Sequence, residues 1–381
     1  MKVLHVIPRL AVGGAEIVLE QLLSHPQSDS HINKVLCFGR PTEIGTRLSK
    51  RGIEVQYFGV EPGKARSFLR LFLTRRSIAD FQPDIIQTWM YHANLLTGWL
   101  TLFSKKIPIV WAIHQDISDS SWIKLSTKVV IKVGAIFSAL IPEKIVSVSD
   151  RAVESHSNIG YPREKFRIVH NGFEVNMDSA SSLDNVSPIG ALGLGEETKL
   201  IGFFARFHEM KDHSNFLAAA EIVSSEMKDV HFILAGSQMD IENSFLVEEL
   251  GARGLSSNVH LLGQRTDVAK LLAELDIYSI SSRSEGFPLS VGEAMAAGVP
   301  CVVTDVGDAA KLIGETGLIV PPKNPVALAD AWLKLLDKSS RERQLMGKAA
   351  RKRILDNYSL DKMVADYYAL YAEVLRGQTE S

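Results

Sequence analysis

Cysteine is nearly absent from this chain: Cys37 and Cys301 are the only two in 381 residues. They lie in different halves, each in or beside an apolar strand-like run, so two buried thiols in a reducing compartment are expected rather than a disulfide. Long apolar runs are missing as well. The longest uncharged one, Val133 to Pro142, is far short of the ~20 residues that cross a bilayer. The opening stretch Met1-Lys2-Val3-Leu4-His5-Val6-Ile7 is broken at once by Pro8 and Arg9; it has no signal-peptide apolar core, and a cytoplasmic protein is expected. Neither charge is in excess, with 42 Lys and Arg against 44 Asp and Glu. Bulk electrostatics therefore give no pull toward nucleic acid, and an anionic partner must be met by a local site. Gly-x-Gly-x-x-Gly is absent between the first strand and first helix, where a nicotinamide-binding fingerprint would stand.

What is present is an ordinary globular composition, 46% hydrophobic and 23% charged, in a chain longer than the roughly 100–200 residues of one domain. Strand-like runs at Lys2–Ile7, Lys34–Phe38, Glu54–Phe58, Ile85–Thr88, Ile109–Ile113, Lys144–Val148 and Phe166–Val169 alternate with helical segments. Such alternation predicts βαβ units and a mostly parallel sheet. Composition then changes abruptly over Asn176–Gly195, and a second series begins at Leu200. The expected organisation is an α/β chain of two Rossmann-like domains: residues 1–178, a linker at 179–195, and residues 196–359. The last helix, Leu360–Leu375, is expected to fold back onto the first domain.

Several loops carry chemistry. Gly13-Gly14-Ala15-Glu16 stands at a strand-to-helix turn, where bare backbone and a helix N-terminus can approach a phosphate. Arg206 and Lys211 follow the first strand of the second half; a guanidinium and an ammonium there can converge on a diphosphate, or belong to a solvated loop. His114 follows the strand Ile109–Ile113 and could bond a sugar hydroxyl or phosphate, act in proton transfer, or have no task. Glu285 and Glu293 lie in Ser282–Asp305, which reads as strand end, loop, short helix and buried strand. Their spacing alone means little. Their frame is specific: Glu-Gly-Phe-Pro-Leu, then Glu-Ala-Met-Ala-Ala-Gly, then Val-Pro-Cys-Val-Val-Thr-Asp.

That frame closely resembles the donor-site signature of retaining glycosyltransferases of family 4, which have the GT-B fold. The resemblance extends in order through Gly13-Gly14-Ala15-Glu16, Val169-His170-Asn171-Gly172, Arg206 with Lys211, and Leu262-Gly263-Gln264-Arg265-Thr266-Asp267-Val268. It implies two Rossmann-like domains facing a cleft, the carboxy-terminal one holding a nucleotide-sugar and the amino-terminal one the acceptor. By the same resemblance Arg206 and Lys211 hold the diphosphate. Glu285 and the amides around Gly286, Phe287 and Leu289 hold the transferred sugar, and Glu293 takes the ribose hydroxyls. Gln264 and Arg265 flank the base, Gly13 and Gly14 close over the phosphates, and His114 lies near the sugar or distal phosphate.

The chain contains no Asp-x-Asp, so Arg206 and Lys211 are expected to stand in for a metal, with no cofactor beyond a UDP- or GDP-sugar. The implied activity is hexosyl transfer to a glycan or lipid-linked acceptor in cell-surface polysaccharide assembly, lipopolysaccharide included. A sugar-nucleotide epimerase of similar architecture and a non-catalytic nucleotide-sugar-binding subunit are the alternatives. Two helices also suggest peripheral contact with an anionic membrane: one where Arg66, Arg70, Arg75 and Arg76 punctuate Phe68, Leu69, Leu71, Phe72 and Leu73, and Trp122–Leu140 with its Lys124, Lys128 and Lys132. Helices of this kind more often simply pack on the sheet.

Overall fold

The computed structural model describes residues 1–11, 13–60, 66–101, 107–175, 189–195 and 197–379. The chain divides into two compact units, Met1–Gly172 with Leu360–Ser381, and Phe173–Ser359. The segment 179–188 of the expected linker lies outside the described residues.

Unit 1 runs β1 (Lys2–Ile7), α1 (Gly14–Ser24), β2 (Ile32–Cys37), α2 (Glu43–Lys50), β3 (Glu54–Tyr57), α3 (Arg66–Phe81), β4 (Ile85–Trp89), α4 (Met90–Thr101), β5 (Ile109–Ile113), α5 (Leu125–Ser138), β6 (Lys144–Ser147), α6 (Asp150–Ser157) and β7 (Phe166–Ile168). The strands form one parallel sheet in the order β3-β2-β1-β4-β5-β6-β7. Val3 pairs with Asn33 on one side and Ile85 on the other. Central strands such as β4 and β5 are buried at every residue. This is why they read as unbroken apolar runs: helices cover both faces of a parallel sheet.

Unit 2 runs β8 (Lys199–Phe204), α7 (His213–Glu226), β9 (Val230–Ala235), α8 (Ser244–Ala252), β10 (Val259–Leu261), α9 (Val268–Ala273), β11 (Ile277–Ser279), α10 (Leu289–Ala297), β12 (Cys301–Thr304), α11 (Ala309–Ile313), β13 (Leu318–Val320), α12 (Pro325–Leu336) and α13 (Ser340–Asn357). Its sheet is parallel in the order β10-β9-β8-β11-β12-β13. The core is aromatic: Phe216 packs 4.8 Å from Trp332, whose indole N–H donates to Ser279 Oγ at 2.9 Å. Phe173 enters this unit by donating its N–H to Tyr358 O.

The last helix, α14 (Leu360–Thr379), belongs to unit 1. Tyr368 OH donates to Ser28 Oγ at 2.9 Å, Arg167 pairs with Glu373, and Tyr367 packs against Trp89. Both cysteines are buried and unpaired. Among the described residues no helix is long and apolar enough to cross a membrane.

In each sheet the connections reverse direction between two neighbouring strands, β1 and β4 in unit 1, β8 and β11 in unit 2. Ligands of open α/β sheets bind beyond the carboxyl ends of the strands at such switch points.

Candidate active site

The loops after β8 and β11 meet at the switch point of unit 2. Beyond β8, Ala205 donates its N–H to Ala235 O at 2.9 Å. Gly236, at φ +146, lies against the same peptide; a Cβ there would sit 2.1 Å from Ala205 O. The backbone under Arg206 is thus fixed while its side chain is exposed. A single turn, Glu209–Lys211, follows, capped by the His208 ring accepting from Met210 N–H at 3.1 Å. It brings Lys211 Nζ 2.5 Å from Oε1 of Glu285, which accepts the Ser282 hydroxyl at 2.6 Å as well. Both charges are largely out of water, with side-chain exposures of 15% for Lys211 and 8% for Glu285. A buried charge needs a partner of opposite sign and filled hydrogen bonds. Both donors meet Oε1, so Oε2 is the oxygen left to accept from a ligand. Burial lowers the pKa of His208, and the charges of Arg206 and Lys211 lower it further.

A second set of bonds fastens the Lys211 turn to the Glu285 loop. Ser281 Oγ donates to the carbonyl pair of Lys211 and Asp212, at 2.9 and 3.0 Å. Arg283 gives its N–H to Met210 O and grips Asp212 with two guanidinium bonds of 2.8 and 2.9 Å. Asp212 is buried and has φ +52, a left-handed conformation that a non-glycine residue keeps only where its surroundings over-determine it. On the far side Asp308 N–H donates to Gly286 O and Thr304 Oγ1 to Ser282 O. Gly307, at φ +52, leaves room for the Glu285 carbonyl; a Cβ would come within 2.1 Å of it. Gly307→Ala is therefore expected to displace the Glu285 loop, costing roughly 1–3 kcal/mol of stability and weakening nucleotide-sugar binding. Urea unfolding and ligand titration of the variant would check this, and unchanged affinity would show that the loop tolerates the shift.

Helix α10 opens at Leu289 with Pro288 as its N-cap and no side-chain cap, which leaves first-turn N–H groups pointing out of its end. The Phe287 ring is buried between Phe173 and Tyr358, so what this residue can present to a ligand is backbone. Glu293 lies one turn into α10. Part of it meets solvent, yet desolvation of its carboxyl pushes the pKa up to about 7. Gln264 is exposed after Gly263, whose N–H and O tie it to Met239 and Gly236; Arg265 grips Asp267 at 2.6 and 2.9 Å.

In unit 1 the switch point gathers other residues. Gly13 caps α1 without a side-chain bond, and the Glu16 carboxylate folds back over it, 2.6 Å from where a Cβ would stand. An anion arriving at this helix end would have to displace that carboxylate. His114 stacks on Trp89 with ring centroids 5.3 Å apart. Its Nε2 is buried without a hydrogen-bond partner, and desolvation lowers its pKa to about 3, so the ring is neutral at physiological pH. Trp89 in turn donates its indole N–H to His5 Nδ1 at 3.3 Å. Met90, which opens α4 directly after β4, has φ +68.

The structure thus places Arg206, Lys211, Glu285, Gly286, Phe287, Leu289, Glu293, Gln264 and Arg265 in unit 2, and Gly13, Gly14 and His114 in unit 1. The direct bond between Lys211 and Glu285 and the supporting roles of Ser281, Ser282, Arg283, Asp212 and Gly307 were not anticipated. The serine-rich entry to the Glu285 loop was the visible trace of the first two. Among the described residues no group of three or more His, Cys, Asp or Glu side chains is placed to hold a metal ion.

Comparisons with known proteins bear on the family and the fold. The family model described as glycosyltransferase family 4 matches residues 12–176, and that described as glycosyl transferases group 1 matches residues 198–338. The chain is 31% identical over 308 residues to the N,N'-diacetylbacillosaminyl-diphospho-undecaprenol alpha-1,3-N-acetylgalactosaminyltransferase of Campylobacter jejuni, which covers 77% of this chain and 80% of that one. It is 32% identical over 158 residues to the lipopolysaccharide core biosynthesis mannosyltransferase LpsB of Rhizobium meliloti, 40% of this chain and 45% of that protein. The chain thus spans under half the length of this second relative. Among solved structures, Anabaena HepE in complex with UDP and glucose superposes with a TM-score of 0.84 at 20% identity, covering 98% of this chain and all of that one. At that identity the likeness concerns the fold, which is of the GT-B kind.

Proposed function

The chain belongs to glycosyltransferase family 4, the glycosyl transferases group 1, and from that premise we propose that it transfers a hexose-type sugar, with retention and without a metal, from a nucleotide diphosphate sugar to a glycan or lipid-linked acceptor. The observation that carries this reading is the Lys211–Glu285 pair at the switch point of unit 2, with Arg206 on the same loop after β8. As the glycosidic bond breaks, negative charge grows on the departing diphosphate, and cations fixed in a water-poor site lower the barrier. Lys211 has three N–H bonds and holds Glu285 with one, so it can meet a phosphate oxygen without leaving its partner. Arg206 adds a planar fork suited to phosphate. The first-turn amides of α10 face growing negative charge favourably.

In this reading Glu285 accepts a hydroxyl of the transferred sugar on Oε2, and Glu293 accepts the ribose hydroxyls. Gln264 and Arg265 flank the base. His114, neutral, offers Nε2 to a hydroxyl without contributing charge. HepE was crystallised with UDP and glucose, which makes UDP-hexoses the first donors to try. The Campylobacter relative's name specifies a polyprenol-diphosphate-linked acceptor, and that is the acceptor class to try with them; cell-surface polysaccharide assembly is the setting this implies.

The test is a melting-temperature screen of UDP-, GDP- and dTDP-sugars, followed by transfer assays in chelator. A ligand that binds only the native state raises the melting temperature, by about 2.7 kcal/mol of stabilisation at a hundred times Kd. Transfer is expected to survive chelation. Its loss in EDTA and recovery with a divalent cation would overturn the metal-free mechanism.

A further inference from the structure

One helix of unit 1 turns an apolar face to water. On α5, Leu125, Val129, Ile136 and Phe137 are exposed, and Leu140 just beyond the helix with them; Leu125 is 77%, Ile136 71% and Leu140 80% accessible. The buried side of the same helix is Ile131, Gly134, Ala135 and Ser138, so the usual arrangement, apolar side in and polar side out, holds for only half of it. With Val133, which is exposed too, Leu125, Val129, Val133, Ile136 and Leu140 recur every three or four positions and form one stripe with Phe137 at its edge. Along one border of that stripe stand Lys124, Lys128 and Lys132, one turn apart, and from Ser120 to Pro142 the sequence has no Asp or Glu. On α4, which packs beside α5 through Gly98 against Ile141, Trp99 is also exposed. Contiguous exposed apolar surface of this kind marks a docking face.

We infer that this face of α5 is a membrane-docking surface that lies on an anionic lipid bilayer, its leucine and isoleucine side chains entering the acyl boundary and its lysine row meeting the headgroups. The charge decides the occupant. A second copy of this face carries no Asp or Glu to neutralise the lysine row, whereas an acidic headgroup layer does. Trp99 adds an aromatic of the type that settles at headgroup level. The arginine-rich helix α3 is not included: Arg76 pairs with Asp80, Arg70 bonds the Gly59 carbonyl, and the side chains of Arg66, Phe68 and Leu69 lie outside the described residues. The inference rests on unit 1 alone and is independent of the donor chemistry proposed above, because its readout is vesicle binding rather than transfer.

The test is flotation of the full chain with vesicles of phosphatidylcholine, with or without phosphatidylglycerol, at low and high salt. Three proteins are compared: wild type, the triple variant Lys124→Gln, Lys128→Gln, Lys132→Gln, and the pair Ile136→Ser with Leu140→Ser. Wild type is expected to float with the anionic vesicles at low salt and to be released by high salt. The lysine variant should partition about a hundredfold more weakly, taking roughly fivefold for each lysine near an anionic surface. The serine variant should also lose binding, and both should keep the wild-type melting temperature because the replaced side chains are exposed. Wild type that stays with the soluble fraction, or a lysine variant that floats as well as wild type, would overturn the inference. So would concentration-dependent dimerisation abolished by the serine variant without vesicle binding, which would assign the face to a second copy.

Discussion

Lys211→Ala is expected to lower kcat/KM by about a hundredfold to a thousandfold, the range for removing one preorganised group that stabilises transition-state charge. Glu285→Ala should be comparably severe, since it removes the carboxylate assigned to the sugar and frees Lys211. The two variants separate catalysis from folding through the pair's burial. Removing Lys211 leaves Glu285, only 7% exposed, without its cation, and breaking a buried pair in this way costs roughly 3–5 kcal/mol. Some of that is offset here by the hydrogen bond from Ser282. The double variant Lys211→Ala, Glu285→Gln carries no unpaired charge and should recover most of the lost stability while remaining inactive. Urea unfolding beside steady-state kinetics reads both effects. Turnover within a few-fold of wild type in both single variants would sink the site, and recovered activity in the double variant would reduce the pair to a structural role.

That pair also shows what local pattern could reveal and what it could not. The strands were legible because burial on both faces leaves β4, β5, β8 and β9 with runs of apolar residues. Helix α10 could be bounded to the residue because Pro288 opens it and Gly298, at φ +82, ends it; α12 likewise begins at Pro325, capped by Asn324. Helix α6 is not visible in the sequence pattern because its buried side, Ala152, Val153, Ser155 and His156, is too polar and short to show an apolar stripe. Its signal was the cap, Ser149 accepting from Ala152 N–H. Helix α4 starts at Met90, directly after β4, because the chain turns through Met90 in the left-handed region, which no propensity foretells. Lys211 and Glu285 are 74 residues apart, and only the strand order that sets β8 beside β11 brings them together. Family resemblance named both, but their mutual bond and the Arg283–Asp212 grip belong to tertiary structure.

Glu293 makes a prediction in which pH selects the effect. Its folded pKa, about 7, stands above the 4.5 of an unperturbed glutamate, because its carboxyl is desolvated on α10. Below the unfolded value both states hold the proton and the residue contributes nothing to pH dependence. Between 4.5 and about 7 the folded state binds the proton and the unfolded state does not, so stability falls as pH rises. Above about 7 both are ionised and the cost of keeping a carboxylate there is fully present. Glu293→Gln should thus stabilise the ligand-free protein at pH 8 by up to roughly 3 kcal/mol, with little change at pH 5. A variant no more stable than wild type at pH 8 would refute the raised pKa. Ligand binding reverses the sign. Two ribose hydroxyls donating to the carboxylate favour its charged form, so a nucleoside diphosphate bound near pH 6 should expel a proton and bind more weakly as pH drops. Calorimetric titration in buffers of different ionisation enthalpy would detect that proton, and Glu293→Gln should abolish this contribution. Equal proton release from wild type and variant would move the ribose contact to another residue and leave the elevated pKa as a property of the empty site alone.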